Sequence, residues 1–154
     1  MAKILIIDDD PRISVLLRHL LRLNGLESAS AESGRQALVL LKQNAFDLII
    51  TDLRMQNMNG MELLREVQTL EPFIPVIMVT AYASDETAIE SVNLGVFDYL
   101  PKPYKGDELI DAVKRALASD KNKKRAKDGY SGSNPAIIAY LETLGMKETP
   151  RYCS

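Results

Sequence analysis

The stretch "AKILIIDDDP", residues 2–11, decides the fold of this 154-residue chain. An aliphatic run of the kind found in buried strands ends abruptly in Asp8, Asp9 and Asp10. Neighbouring carboxylates repel one another, and a carboxylate at the end of a buried strand is costly to remove from water. The stretch therefore predicts both a buried strand and, at its carboxyl end, a place where positive charge is needed.

Short aliphatic runs alternate with longer stretches of helical period along the chain. The predicted strands are residues 3–7, 26–30, 46–51, 75–80 and 97–100, and the predicted helices are residues 11–23, 33–43, 60–70, 84–94 and 106–118. Asp10 and Pro11 are typical of an N-cap and a first-turn proline. Because the first, third and fourth strands are almost wholly apolar, this five-fold βα pattern predicts a doubly wound α/β fold, with an open parallel sheet covered by helices on both faces.

The bulk composition is that of an ordinary globular protein, with 46% hydrophobic residues, 26% charged residues and a net charge of −2. This charge gives no general attraction to nucleic acid or to anionic membranes. No apolar stretch approaches the roughly 20 residues that a membrane span requires. Cys153 is the only cysteine, which excludes an intramolecular disulfide, so we expect a reducing, cytoplasmic compartment and no membrane partner.

Residues with reactive or charged side chains follow the strong strands. They are Asp8 and Asp9 after the first strand, Asp52 at the end of the third, Thr80 at the end of the fourth, and Lys102 with Pro103 after the fifth. Each has an ordinary interpretation on its own, as a turn residue, a helix cap, a strand residue or a solvated lysine. The carboxyl ends of parallel strands share one edge of a sheet, so the set together indicates a functional site there.

The chemistry of this set favours a hard divalent cation, typically Mg²⁺, bound by carboxylates, a backbone carbonyl and waters. A calcium loop of the EF-hand spacing is absent, and zinc is disfavoured because His19 is the only histidine and Cys153 is remote. Asp52 is then a candidate nucleophile that can form an acyl phosphate. Lys102 and the Thr80 hydroxyl are placed to neutralise and hydrogen-bond the phosphoryl oxygens.

Four motifs resemble the receiver domain of two-component response regulators. They are "ILIIDDDP" at 4–11, "LIITDLRMQNMNG" at 48–60, "VIMVTA" at 76–81 and "YLPKP" at 99–103. The resemblance covers residues 2–118. It implies a flavodoxin-like three-layer sandwich with strand order 2-1-3-4-5, in a domain spanning residues 1–118.

The resemblance also implies a role for each site residue. Asp52 would be the phosphoacceptor, receiving a phosphoryl group from a sensor histidine kinase or a phosphorelay protein. Asp9, Asp52 and the backbone carbonyl of Arg54 would bind Mg²⁺ directly, with Asp8 acting mainly through a water molecule. Lys102 would pair with the phosphate. The chain would be a phosphoacceptor that assists its own phosphorylation and dephosphorylation, not an enzyme in the usual sense.

A conformational switch is implied by the same resemblance. Thr80 would move toward the phosphate and Tyr99 would swing inward with it, although Tyr99 can also be read as a half-buried strand aromatic. The Lys102–Pro103 peptide bond would be cis. The switch would act at the surface formed by the helix at 84–94, the strand at 97–100 and the helix at 106–118, which is also where a homodimer is expected.

Two features of the loops bear on this interpretation. Gln56 replaces the proline usual in the family, which affects the rigidity of the loop but removes no ligand. The resemblance also implies that Arg54 and Tyr82 overlook the line along which water would attack an acyl phosphate on Asp52. Both side chains are large, so we expect slow self-dephosphorylation.

Two other functions compete with a phosphoacceptor. A haloacid-dehalogenase-like phosphatase needs a second aspartate two residues after its nucleophile, where this chain has Arg54. A degenerate receiver that serves only as a binding module normally lacks an acidic residue or the lysine, and both are present here.

The segment after the predicted domain has a different composition. Residues 119–133 are basic and turn-rich, which is typical of a flexible linker, and residues 134–154 form a short tail with a predicted helix at 134–145. The basic run could contact a phosphate backbone, but solvated linker is the usual role of such runs, so we expect no nucleic-acid partner.

The stretch "GSNPAI" at 132–137 faintly resembles the entry into the ATPase domain of sigma-54-dependent activators. The chain is therefore either a stand-alone receiver or the N-terminal part of a longer regulator.

Overall fold

The computed structural model describes residues 2–53, 60–81 and 84–119. In chain order the elements are β1 (Lys3–Ile7), α1 (Pro11–Leu23), β2 (Glu27–Ala31), α2 (Gly34–Gln43), β3 (Leu48–Asp52), α3 (Gly60–Leu70), β4 (Val76–Thr80), α4 (Asp85–Asn93), β5 (Asp98–Pro101) and α5 (Gly106–Leu117). The sequence-based predictions for the linker and the tail helix fall on residues 120–154, outside the described part of the chain.

The five strands form one parallel sheet in the order β2-β1-β3-β4-β5. The predicted α/β fold and strand order are therefore confirmed. The predicted bounds differ by one or two residues at several element ends. The largest shift is at β3, which begins at Leu48 rather than at residue 46, and β5 extends to Pro101.

Two hydrophobic layers lie on the two faces of the sheet. On one face, α2 and α3 pack against the strands, and on the other face α1 and α5 do so. Side chains of β1, β3 and β4 alternate between the two layers, which is why these strands carry almost no polar residue. Burying each of these side chains contributes about 1.5–3 kcal/mol, so the layers fix the positions of the strand ends.

The helix ends follow mostly from local capping. The Asp10 side chain caps α1 by accepting a hydrogen bond from the Arg12 N–H. Ser33 followed by Gln36 is the sequence pattern of a capping box at α2. The Ser33 side chain accepts from the Gln36 N–H, whereas the Gln36 side chain accepts from the Glu32 N–H and so does not close the box.

One residue of α1 departs from the periodicity. Leu16 has helical spacing with the inner face, yet it is 66% exposed, because only a narrow stripe of the helix, centred on Leu17 and Leu21, reaches the sheet. In the described residues no helix combines the length and the apolar character that crossing a bilayer demands.

Candidate functional site

The residues of the candidate site lie at the carboxyl ends of four parallel strands. Asp52 is the last residue of β3 and Thr80 is the last residue of β4. Asp8 directly follows β1, and Lys102 directly follows β5. The side chains of Asp8, Asp52 and Thr80 are buried, although all three are polar or charged. Three buried polar or charged side chains therefore meet at this edge of the sheet, which marks it as the candidate site.

Lys102 is the positive charge of the site. Its Nζ lies 2.9 Å from Asp52 Oδ2 and 3.8 Å from Asp8 Oδ2. Burial by itself would lower the pKa of Lys102, but the Asp52 hydrogen bond and the charges of Asp52 and Asp8 outweigh it and raise the pKa. The ammonium group therefore stays protonated between the two carboxylates.

The backbone around Lys102 fixes where its side chain begins. The Lys102 N–H donates a hydrogen bond of 2.7 Å to the carbonyl oxygen of Thr80. The Lys102–Pro103 peptide bond is cis. The hydrogen bond to Thr80 holds the Lys102 backbone at the end of β4, the strand next to the one that carries Asp52.

Only one of the two carboxylate oxygens of Asp8 has a hydrogen-bond donor among the described residues. Its Oδ1 accepts a hydrogen bond of 2.9 Å from the Asp10 N–H, whereas its buried Oδ2 has no hydrogen-bond partner among the described residues. Burial raises the pKa of Asp8, the charges of Asp52 and Asp9 raise it further, and the Asp10 N–H and Lys102 only partly oppose them. A buried carboxylate oxygen without a donor is suited to a hard cation.

The other predicted metal ligands are placed differently. Asp9 is exposed beside the site, close enough for its charge to act on Asp8. Arg54, whose carbonyl was predicted as a ligand, lies outside the described residues, as do Gln56 and Tyr82. Across residues 2–53, 60–81 and 84–119, no three acidic, histidine or cysteine side chains are grouped tightly enough to hold an ion by themselves. A cation here would need backbone carbonyl or water ligands in addition to carboxylates.

Gly60 brings α3 against the phosphoacceptor candidate. Its N–H donates a 2.5 Å hydrogen bond to the carbonyl oxygen of Leu53. A Cβ at position 60 would overlap the backbone carbonyl oxygen of Asp52 and lie 2.8 Å from the Leu53 Cα. The glycine is therefore required by a close backbone approach, a role that its place in a motif did not reveal.

The predicted switch residues share one face of the sheet. Tyr99 pairs in register with Met78 of β4, and Met78 and Thr80 point to the same face because they are two residues apart. The Tyr99 hydroxyl lies 2.8 Å from the Oγ1 of Thr87, in the first turn of α4. Sequence reasoning missed Thr87. The signal was the spacing Ser84-x-x-Thr87, which forms the capping box of α4.

Comparison with known proteins agrees with this geometry. A family model described as the response regulator receiver domain matches residues 4–114. The transcriptional regulatory protein ZraR of Salmonella typhimurium is 37% identical over 150 residues, which are 93% of this chain and 34% of that protein. The chain thus spans about a third of the length of the curated relatives it matches.

Solved structures agree as well. A CheY-like response regulator receiver domain from Methanospirillum hungatei has a TM-score of 0.75 and 33% identity, covering 81% of this chain and 98% of that one. The response regulator TrrA from Thermotoga maritima, solved in complex with Mg²⁺ and beryllium fluoride, has a TM-score of 0.69 and 32% identity, covering 75% of this chain and 99% of that one.

Proposed function

This chain belongs to the response regulator receiver domain family, and from that premise we propose that it accepts a phosphoryl group on Asp52. The observation that carries the proposal is the position of Asp52 at the end of β3, with Lys102 Nζ 2.9 Å from its Oδ2. A nucleophile in phosphoryl transfer needs positioning and neutralisation of charge more than covalent assistance. Both are provided by the strand ends described above.

The transfer requires one bond to form and one to break. An Asp52 carboxylate oxygen attacks phosphorus, and the bond between phosphorus and the donor nitrogen breaks, leaving its electron pair on the donor imidazole. Lys102 moves from the carboxylate to a phosphoryl oxygen and keeps its proton, since its raised pKa holds it charged. The Thr80 hydroxyl, buried at the adjacent strand end, would donate to another phosphoryl oxygen.

Mg²⁺ is the cofactor that the donor set fits best. The proposed ligands are Asp9, Asp52 and the Arg54 carbonyl, with the unfilled Oδ2 of Asp8 receiving a hydrogen bond from a metal-bound water. When bound, the ion would offset the charge that builds up on the phosphoryl oxygens. Asp8 and Asp9 also raise the local negative charge, which favours cation binding before a phosphoryl group is present.

The proposed donor is a sensor histidine kinase or a phosphorelay protein, because receiver domains obtain their phosphoryl group from phosphohistidine. The chain then acts as a phosphoacceptor and signal carrier, and not as an enzyme that turns over a substrate. We place this exchange in the cytoplasm, where the ATP that supplies such donors is made.

The assignment of Asp52 is tested with a small-molecule phosphodonor. Incubation with phosphoramidate and Mg²⁺ should add one phosphoryl group, detected by intact mass. Asp52→Asn should remain unlabelled. Asp111→Asn, which changes an exposed carboxylate on α5, is the matched control and should be labelled like wild type. Labelling of Asp52→Asn to the wild-type extent would refute the assignment.

A second proposal concerns the whole protein. The match to ZraR covers 93% of this chain, so it continues beyond the family model, which ends at residue 114. This supports the hypothesis that residues 119–154 begin the next segment of a longer, sigma-54-dependent transcriptional activator. Sequencing the gene beyond codon 154 tests it: an open frame encoding an ATPase domain is expected, and a stop codon directly after Ser154 would exclude it.

The surface formed by α4, β5 and α5 is the proposed output face. Ile89 and Val92 of α4 are 61% and 68% exposed there. Exposed apolar side chains of this size favour contact with a second copy after phosphorylation. We therefore retain a homodimer through this face as a proposal, with a nucleic-acid partner not expected for this chain by itself.

A further inference from the structure

Helix α4 is the helix least firmly attached to the sheet. All nine of its residues are described, and only Ser91 among them is fully buried. The other four helices each bury three or more residues. A helix with so little buried apolar surface opens at low free-energy cost, so individual hydrogen bonds decide its position.

The attachments of α4 differ between its two ends. Near its carboxyl end, Glu90 pairs with Arg65 of α3, and the Ser91 hydroxyl lies 3.6 Å from the sulfur of Met61. At its amino end, the Tyr99 hydroxyl of β5 lies 2.8 Å from Thr87 Oγ1. The side that faces α3 is therefore held independently of Tyr99, whereas the first turn is joined to the sheet through Tyr99.

Proton accounting assigns the donor in this contact. Thr87 has one hydroxyl proton, and its Oγ1 lies 3.1 Å from the Ser84 carbonyl oxygen, which can only accept. Thr87 donates there, and its Oγ1 accepts from the Ser84 N–H at 3.2 Å. Because the Thr87 proton is directed at Ser84, the Tyr99 O–H is the donor in its contact with Thr87 Oγ1, which the Ser84 hydroxyl also approaches at 3.0 Å. Ser84 and Thr87 form the capping box of α4 by themselves, and Tyr99 adds one hydrogen bond that joins this box to the sheet.

The contact belongs to the unphosphorylated chain. Lys102 Nζ bonds directly to Asp52 Oδ2, which leaves no room for a phosphoryl group between them. In that state Tyr99 is diagonal to Thr80 on the same face of the sheet. Any movement of Thr80 that draws the Tyr99 ring inward must lengthen or break the bond to Thr87.

We propose that Thr87 is the residue through which Tyr99 holds α4 in its unphosphorylated position. This rests on the proposed phosphoacceptor function and extends it to a named residue of α4. Breaking the Tyr99–Thr87 hydrogen bond loosens the first turn of α4 while the bonds to α3 persist, so the helix pivots about its carboxyl end. Thr87 is a positioning residue that touches neither the phosphoryl group nor the metal.

The test is a double-mutant cycle read by amide hydrogen exchange at Ser84, Thr87 and Ala88 in the unphosphorylated protein. Tyr99→Phe removes the donor and leaves the capping box intact. It should speed exchange at these amides about threefold to tenfold, the loss expected for one neutral hydrogen bond. In a Thr87→Val background the Tyr99→Phe change should have no further effect.

Two control variants sharpen the cycle. Thr87→Ser retains the hydroxyl and should keep slow exchange. Asn93→Ala changes an exposed side chain at the carboxyl end of the same helix and should leave the response to Tyr99→Phe unchanged. Additive effects of Tyr99→Phe and Thr87→Val, or unchanged exchange in Tyr99→Phe, would overturn the proposal.

Binding of Mg²⁺ with beryllium fluoride, a phosphoryl analogue, tests the direction of the coupling. Because the hydrogen bond favours the unphosphorylated state, Tyr99→Phe should lower the Kd of the analogue by a similar factor. A raised or unchanged Kd would overturn the assigned direction. If wild type neither binds the analogue nor is labelled on Asp52, the phosphoacceptor function fails, and the exchange cycle still decides the role of Thr87.

Discussion

Asp8 bears an electrostatic cost that its neighbours only partly offset. Burial raises its pKa first, and the charges of Asp52 and Asp9 raise it further, against Lys102 and the Asp10 N–H. A carboxyl with a raised folded pKa binds its proton more tightly in the native state than in the unfolded chain. Its contribution to stability therefore falls as pH rises from 3.8 through the raised value, and then stays constant.

Asp8→Asn should accordingly stabilise the metal-free protein at neutral pH. The amide oxygen can still accept from the Asp10 N–H, while the repelling charge is removed. We expect a rise in Tm of a few degrees, which corresponds to about 1 kcal/mol in a domain of this size. The gain should shrink as pH is lowered toward 3.8, measured by thermal unfolding in EDTA.

Glu32→Gln, which neutralises an exposed carboxylate outside the site, is the matched control and should change Tm little at any pH. A Tm of Asp8→Asn equal to or below that of wild type at neutral pH would contradict the argument. The same would hold for a gain that does not depend on pH.

At the scale of the elements, the junction between β3 and α3 depends on a glycine, Gly60, which has no Cβ. The first residue of α3 is Gly60, and a Cβ there would overlap backbone atoms of Asp52 and Leu53. Backbone atoms of a central strand cannot give way as a flexible side chain can. The start of α3 and the backbone of the phosphoacceptor candidate therefore move together.

Gly60→Ala should be destabilising by about 2–3 kcal/mol, within the range for overpacking at a rigid position. It should also slow labelling of Asp52, because relief of the overlap displaces the end of β3. Chemical denaturation and phosphodonor labelling measure the two effects.

The control is Gly106→Ala, at the first residue of α5. There the added Cβ would meet only the Leu20 methyl groups, at 3.5 Å and 3.6 Å, in ordinary van der Waals contact. Alanine also favours the helix, so this variant should be neutral or slightly stabilising. Equal losses of stability at the two positions would show that the close approach at Gly60 is not the cause.

At the scale of the whole molecule, the site lies at the carboxyl edge of the parallel sheet, where open α/β folds bind their ligands. No element holds the site alone, since its groups come from the ends of four strands. A ligand that binds this edge should therefore stabilise the complete fold by mass action.

Millimolar Mg²⁺ should raise the Tm of wild type. At a Mg²⁺ concentration of ten times Kd, the free energy of unfolding should increase by about 1.4 kcal/mol. Asp9→Asn should abolish the response, because Asp9 is a proposed ligand. Asp10→Asn should retain it, since asparagine is an equally good N-cap and Asp10 caps α1. A wild-type Tm that does not respond to Mg²⁺ would count against the metal site.

Local patterns in the sequence determined much of this protein. The apolar runs that become β1, β3 and β4, the N-caps Asp10 and Ser33, and the alternation of strands with helices all follow from nearest-neighbour preferences and from the period of side-chain burial. The convergence of Asp52 and Lys102 also followed, because a parallel sheet brings its carboxyl ends to one edge by topology.

Only the tertiary structure decided which groups make contact. The exposure of Leu16, the overlap that Gly60 avoids and the unfilled Oδ2 of Asp8 depend on packing between elements distant in sequence. The hydrogen bond from Tyr99 to Thr87 is of the same kind. Local preference places a residue on a helix or a strand, but the distance between two side chains is set by how layers of side chains fill the space between elements, which no local pattern contains.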